Sequence, residues 1–116
     1  MVYIITKERV YMTFDQLMTK VKGMSGRLNA SGIKFLAVQV NIKGENGGVF
    51  YVEIKDGKVT AEPYEYHDRN CAITMTMEDF NKLLDGELDP VKAFFGGKLK
   101  VDGDVGKALE FSKLIK

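Results

Sequence analysis

Between Asp89 and Lys116 the chain fits a short apolar helix, a double glycine, a brief strand, an Asp-Gly-Asp turn and a closing helix into fewer than thirty residues. Such rapid alternation between helical and extended periods leaves no free-standing element, so the helices must lie over a sheet. None of the side chains in this stretch looks catalytic. Burial is the chemistry it offers.

The sheet can be read upstream. From Phe35 the apolar period switches to two: Leu36, Val38, Val40 and Ile42 point one way, and Gln39, Asn41 and Lys43 the other. Gly44-Glu45-Asn46-Gly47-Gly48 reads as a hairpin connection, after which Phe50, Val52 and Ile54 point inward and Tyr51, Glu53 and Lys55 outward. Asp56-Gly57 is a tight turn of the kind that needs positive φ. A third strand runs from Lys58 until Pro63, which cannot donate to a ladder. Tyr64 to Asn70 forms a polar, aromatic loop, and a fourth strand carries Cys71, Ile73 and Met75 on one face.

Four helices are expected to cover this sheet. The first runs from about Phe14 to Leu28, with Thr13 and Gln16 as a capping box and Phe14, Leu17, Met18, Val21, Met24 and Leu28 in one stripe. The second starts at Thr76, buries Met77, Phe80, Leu83 and Leu84, and stops at Gly86. Asp89-Pro90 opens the third, whose apolar side is Val91, Phe94 and Phe95. Leu99 and Val101 make a fifth strand. Asp104 then caps the fourth helix, whose face is Val105, Ala108, Leu109, Phe111, Ser112 and Ile115, with Leu114 nearly opposite. The class is α+β: an antiparallel sheet with one apolar face under helices.

Composition narrows the function. The 116 residues suit one domain, and 17 Lys/Arg interspersed with 16 Asp/Glu leave a net charge of +1. No basic stripe runs through the chain, which argues against nucleic acid and strongly anionic membranes as main partners. The apolar run Val2-Tyr3-Ile4-Ile5 is too short for a signal peptide or a membrane span. Ser112-Lys113-Leu114 spells a peroxisomal address, but Ile115 and Lys116 follow it. One cysteine, Cys71, suits a reducing compartment, and the cytoplasm is the default.

Candidate chemistry is sparse. His67 and Cys71 would need Glu65 and Asp68 to complete a metal site, and a Cys-His nucleophile pair fails if Cys71 faces the core. Asp102 and Asp104 read as a turn acid and a helix cap rather than an acid–base pair. The glycines of 44–48 join strands, whereas phosphate loops open a helix. Gly96-Gly97 is explained by a helix stop. No cofactor or metal is expected. Apolar spacing alone does not distinguish a filled core from a cavity.

The stretch from Phe50 to Asp56-Gly57, the Thr76–Phe80 helix start, Leu84-Asp85-Gly86-Glu87-Leu88-Asp89-Pro90, and Ala93-Phe94-Phe95-Gly96-Gly97-Lys98-Leu99-Lys100-Val101-Asp102-Gly103-Asp104 resemble the sterol carrier protein type-two domain. The resemblance runs from about Phe14 to the end. It implies a five-stranded, mostly antiparallel sheet, with helices over one face enclosing an apolar tunnel for fatty acids, acyl-CoA or sterols. It also implies a non-catalytic carrier of long-chain lipids, with 14–116 as the domain and 1–13 as an N-terminal extension. Strand and helix phase then point to Leu36, Val38, Val40, Phe80, Leu84, Phe94, Phe95, Leu99, Leu109 and Ile115 as tunnel walls, with Arg69, Lys98 and Lys100 as head-group candidates. Transient membrane contact and a homodimer stay open. The rival readings are a lipid-free interaction module, dimerising or docking on an enzyme through Val2–Ile5 and Leu114, and a small enzyme using His67 or Asp104.

Overall fold

The computed structural model describes residues 4–6 and 9–115. Two short strands, β1 (Ile4–Thr6) and β2 (Arg9–Tyr11), pair antiparallel with Ile5 opposite Val10 and form a sheet of their own. They add no strand to the main sheet. Met1, Val2 and Tyr3, part of the expected extension and contact surface, lie outside the described residues.

Helix α1 (Phe14–Ser25) begins as its sequence dictates. Thr13 Oγ1 accepts from the Gln16 amide at 3.2 Å, and Gln16 Oε1 accepts from the Thr13 amide at 2.9 Å. It ends at Ser25, short of the expected Leu28, which still packs against the core from the loop.

β3 (Phe35–Lys43) and β4 (Gly48–Lys55) form the hairpin, with Val38 opposite Val52 and Val40 opposite Phe50, so both inward sets share one face. The following turn holds Asp56 at φ 51° and Gly57 at φ 79° and delivers β5 (Lys58–Glu62) antiparallel to β4. The chain then crosses to the far side of β3, where β6 (Cys71–Thr76) pairs with it in parallel, Val38 opposite Cys71. After β6 come α2 (Met77–Leu84) and α3 (Pro90–Phe95), and β7 (Lys100–Gly103) returns antiparallel to β6. The order is β5-β4-β3-β6-β7, five strands and mostly antiparallel as expected. Helix α4 (Val105–Leu114) closes the fold.

Side-chain caps set each helix start. Thr76 Oγ1 accepts from the Asp79 amide at 3.1 Å, and Asp104 Oδ1 accepts from the Lys107 amide at 3.0 Å. Helices α1, α2 and α4 share one core with the inward residues of all four long strands, among them Leu17, Leu36, Phe50, Ile73, Phe80, Leu83 and Phe111.

Helix phase departs from expectation in the last third. In α3 the buried residues are Pro90 and Ala93, while Phe95 is 80 % exposed and Val91 and Phe94 are half-buried. Six residues make fewer than two turns, so no repeat fixes which side faces inward. On α4 the inner face is narrower than drawn: Ala108, Phe111, Ser112 and Ile115 are buried, Val105 is exposed and Leu109 half-buried. Leu114 is also half-buried and packs on the core rather than facing away from it. Leu99 lies just before β7 instead of within it, yet it is buried, its amide donating to the Ala93 carbonyl at 3.1 Å.

Candidate functional site

The inner layer does not close evenly. Near the β5 edge, Val21, Met24 and Ser25 of α1 and the following Leu28 stand over Phe50, Val52, Val59 and Ala61 of the sheet. Phe80 and Leu84 of α2 and Phe111 and Ile115 at the end of α4 complete the walls. Between these side chains a water-sized sphere can place its centre in only about 10 Å³. This is a narrow apolar seam whose walls nearly touch. Ser25 supplies its one polar side chain, and that hydroxyl donates to the Lys22 carbonyl at 2.8 Å.

An open depression adjoins the seam and shares Met24 and Leu84 with it. Its other lining residues are Thr19, Lys20, Gly23, Arg27 and Asp85. Lys20 Nζ is held between Asp85 Oδ1 at 2.9 Å and Asn81 Oδ1 at 3.0 Å, which joins α1 to α2. Arg27 is exposed and has no ion-pair partner among the described residues. One acid therefore faces two cations at this rim.

Phe80, Leu84 and Ile115 of the expected walls line the seam. Leu36, Val38, Val40 and Leu99 are buried in the packed core away from it, Leu109 is half-buried and Phe94 packs partly against the core. Phe95, expected inside, points to solvent. The phase of strand β3 places its side chains on the correct face of the sheet, but the gap lies over β4 and β5. The missed walls were already legible as the α1 stripe and the inward residues of β4. No local signal says that those two surfaces fail to meet.

The expected head-group cations lie elsewhere. Arg69 sits on the outer face, where its guanidinium donates to the Tyr66 carbonyl at 3.3 Å and lies 3.8 Å from Asp102. Lys98 and Lys100 flank the turn between α3 and β7.

That outer face is polar and well ordered. Segment 63–70, the crossover from β5 to β6, is laid over it. The Tyr66 amide donates to Gln39 Oε1 at 3.1 Å, and its hydroxyl donates to Glu53 Oε2 at 2.7 Å. Its ring meets Tyr51 edge-on with centroids 5.1 Å apart. The Glu53 bond, assisted by burial, pushes the Tyr66 phenol up to about 12. Asn70 Oδ1 accepts from the Ala37 amide at 2.8 Å. The long aromatic loop between strands is thus the cover of Gln39, a residue whose period places it opposite the apolar set and which the fold buries.

The remaining candidates for chemistry are separated. Cys71 is a buried free thiol on the inner face, pushed up to about 11 by burial and then by Asp104, whereas His67 is exposed on the crossover. Asp104 is engaged as a helix cap and Asp102 faces Arg69. Among the described residues no three His, Cys, Asp or Glu side chains gather as a metal site, and no helix is long and apolar enough to cross a membrane.

Comparison with known proteins gives a consistent set of likenesses. The profile of the SCP-2 sterol transfer family matches residues 14–116. Hydroxysteroid dehydrogenase-like protein 2 of Rattus norvegicus is 38% identical over 80 residues, which is 66% of this chain and 15% of that protein. Sterol carrier protein 2 of Homo sapiens is 37% identical over 71 residues, 61% of this chain and 13% of that one. This chain therefore spans a small part of the length of both relatives. Among solved structures, that of palmitated SCP2L2 from Aedes aegypti superposes with a TM-score of 0.68 at 23% identity, covering 90% of this chain and 95% of that chain. At that identity the likeness is one of fold.

Proposed function

This chain belongs to the SCP-2 sterol transfer family, and from that premise we propose that it binds and carries long-chain lipids in the seam under α1 without transforming them. The observation that carries this reading is the junction of two surfaces: a slot apolar but for Ser25, and a rim bearing Lys20 and Arg27, sharing Met24 and Leu84. A long acyl chain with an anionic head fits both parts. A thin flexible guest also spreads nearly touching walls less than a rigid ring system does.

The closed state of the seam is what energetics requires of an empty carrier. At roughly 24 cal/mol per Å³, a slot held open and empty at the width and length of a fatty chain, on the order of a few hundred Å³, would cost several kcal/mol. That rivals the whole stability of a domain this size, about 5–15 kcal/mol. The empty chain therefore closes its walls and a guest reopens them, its burial contributing roughly 0.8 kcal/mol per methylene. The end of α4, which supplies Phe111 and Ile115, is the proposed moving wall. The absence of any ionisable side chain from the lining supports carriage rather than catalysis. A reducing compartment such as the cytoplasm is proposed because the chain's one cysteine is a buried free thiol.

Native mass spectrometry of delipidated protein, titrated with palmitate, oleyl alcohol and cholesterol, tests this reading. The expected result is a one-to-one palmitate adduct, weakened by Arg27→Ala, with oleyl alcohol unaffected by that change. Val59→Phe should fill the seam and abolish adducts while the circular dichroism spectrum is kept. Failure of all three lipids to bind would overturn the proposal, and preference for cholesterol would move it from acyl chains to sterols.

A further inference from the structure

The contact that joins α1 to α2 at the rim is built around an acid in an unfavourable place. Asp85 closes the C-terminus of α2, where a carboxylate faces the negative end of the helix dipole. Its Oδ1 lies 2.9 Å from Lys20 Nζ, its one ion-pair partner among the described residues. The Asp85 side chain is 46 % exposed against 28 % for Lys20. Its backbone, by contrast, is fixed. The amides of Asp85, Gly86 and Glu87 donate to the carbonyls of Asn81, Leu83 and Lys82 at 3.0, 3.2 and 2.8 Å, and Gly86 makes the reversal at φ 76°. Rotation of the side chain alone therefore carries the carboxylate from Lys20 into water.

Lys20 is also held by a group that does not move with Asp85. Asn81 Oδ1 accepts from its Nζ at 3.0 Å, and the Asn81 Nδ2 donates to the Met77 carbonyl at 3.2 Å and to Met12 Sδ at 3.6 Å. The ammonium thus keeps its place on the rim when Asp85 leaves. Arg27, in the same depression, has no acid to release. The rim therefore offers one positioned cation whose charged partner is a replaceable carboxylate, and this cation stands beside a seam suited to an alkyl chain.

We propose that Asp85 is a built-in stand-in for the carboxylate of the cargo: it neutralises Lys20 while the seam is empty, and a fatty acid's carboxylate displaces it on binding. The exchange presupposes the carriage of acyl chains proposed above and deepens it, because it is the step that favours fatty acids over uncharged lipids. An arriving carboxylate replaces the charge-assisted bond that it breaks, so Lys20 stays paired throughout. A lipid hydroxyl leaves Asp85 where it is and gains nothing from Lys20.

Calorimetric titration of the full, delipidated chain with palmitate and with oleyl alcohol tests the exchange. Asp85→Asn keeps the shape of the side chain and removes its charge. Palmitate affinity should then rise by up to about fivefold, the range of an exposed ion pair, with oleyl alcohol unchanged. In a Lys20→Met background the same substitution should change neither lipid. Palmitate affinity that is unchanged or lowered in Asp85→Asn overturns the proposal. A gain that persists in the Lys20→Met background overturns it too, because Asp85 would then act by plain repulsion of the head group. So does an equal gain for oleyl alcohol, which would mean that the substitution only loosens the helices. A wild-type chain that binds neither lipid overturns carriage and the exchange together, whereas one that binds oleyl alcohol but not palmitate sinks the exchange alone.

Discussion

On its inner face the sheet meets the helices through Val52, Phe50, Phe80, Phe111 and their neighbours, almost wholly by apolar contact, with the exposed Lys22–Glu62 pair at the β5 edge and a narrow seam between the layers. On its outer face it meets segment 63–70 through Gln39, Glu53, Tyr66 and Asn70, held by hydrogen bonds of 2.7 to 3.1 Å. Apolar contact is additive in area and indifferent to orientation, so the inner layer can slide and reopen. Hydrogen bonds fail when misaligned, so the outer layer fixes the strands that the inner layer moves against. One sheet thus has a soft side and a hard side, and the proposed binding site is on the soft one.

The largest effect expected is on the soft side. Phe80 is buried against Phe50, with centroids 5.8 Å apart, and lines the seam. Phe80→Ala should cost about 3–5 kcal/mol in urea denaturation. Palmitate should recover part of that loss by filling the enlarged space. Equal loss with and without lipid would mean that the inner layer does not adapt.

Next comes the hard side. Gln39 accepts from the Tyr66 amide and donates to Asn41 Oδ1 at 3.0 Å. Gln39→Ala removes both bonds and leaves the Tyr66 amide without its acceptor, at a cost of about 2 kcal/mol. Hydrogen exchange should speed up in 63–70 while palmitate binding stays unchanged. Altered lipid binding would show that the two faces are coupled.

How much of this was legible follows the same division. Strand phase and helix caps depend on neighbours a few residues apart, so the inward sets of β3 and β4, the Thr13–Gln16 box and the Thr76 and Asp104 caps were readable. The parallel pairing of β6 with β3 depends on a crossover whose anchor, Gln39, looked like a surface residue by its period. Phe95 was drawn inward because a helix under two turns offers several equally apolar phases. The seam escaped because its walls, Val21 and Met24 against Val59 and Ala61, lie on elements far apart in sequence. Whether such surfaces touch depends on the packing of every other residue.

A smaller effect is expected from pH, and it loads both faces in the same direction. Cys71 rises from 9.0 to about 11 through burial and Asp104, and Tyr66 from 10.0 to about 12 through Glu53 and burial. Each group holds its proton more tightly folded than unfolded. Their stabilising contributions are full below the ordinary values and are lost as pH climbs through 9–11 and 10–12, respectively. Denaturation midpoints should fall across this range. Cys71→Ala should flatten the earlier part and Tyr66→Phe the later. A midpoint flat to pH 11 in the wild-type chain would contradict both the burial of Cys71 and the Glu53 bond of Tyr66 as causes.

The smallest effect is the most informative about motion. Lys22 on α1 lies 3.3 Å from Glu62 on β5, so the pair spans the two sides of the seam, and about half of each side chain is in water. An exposed pair of this kind contributes less than about 1 kcal/mol and is screened by salt. Lys22→Ala should therefore leave the denaturation midpoint nearly unmoved. If α1 must lift from β5 to admit a chain, whatever the pair contributes is lost on opening, and palmitate association should quicken by up to about fivefold. High salt should produce the same gain in the wild-type chain and none in the variant. An association rate unmoved by either would assign the opening to the α4 side alone, with α1 and β5 staying in contact while Phe111 and Ile115 swing away.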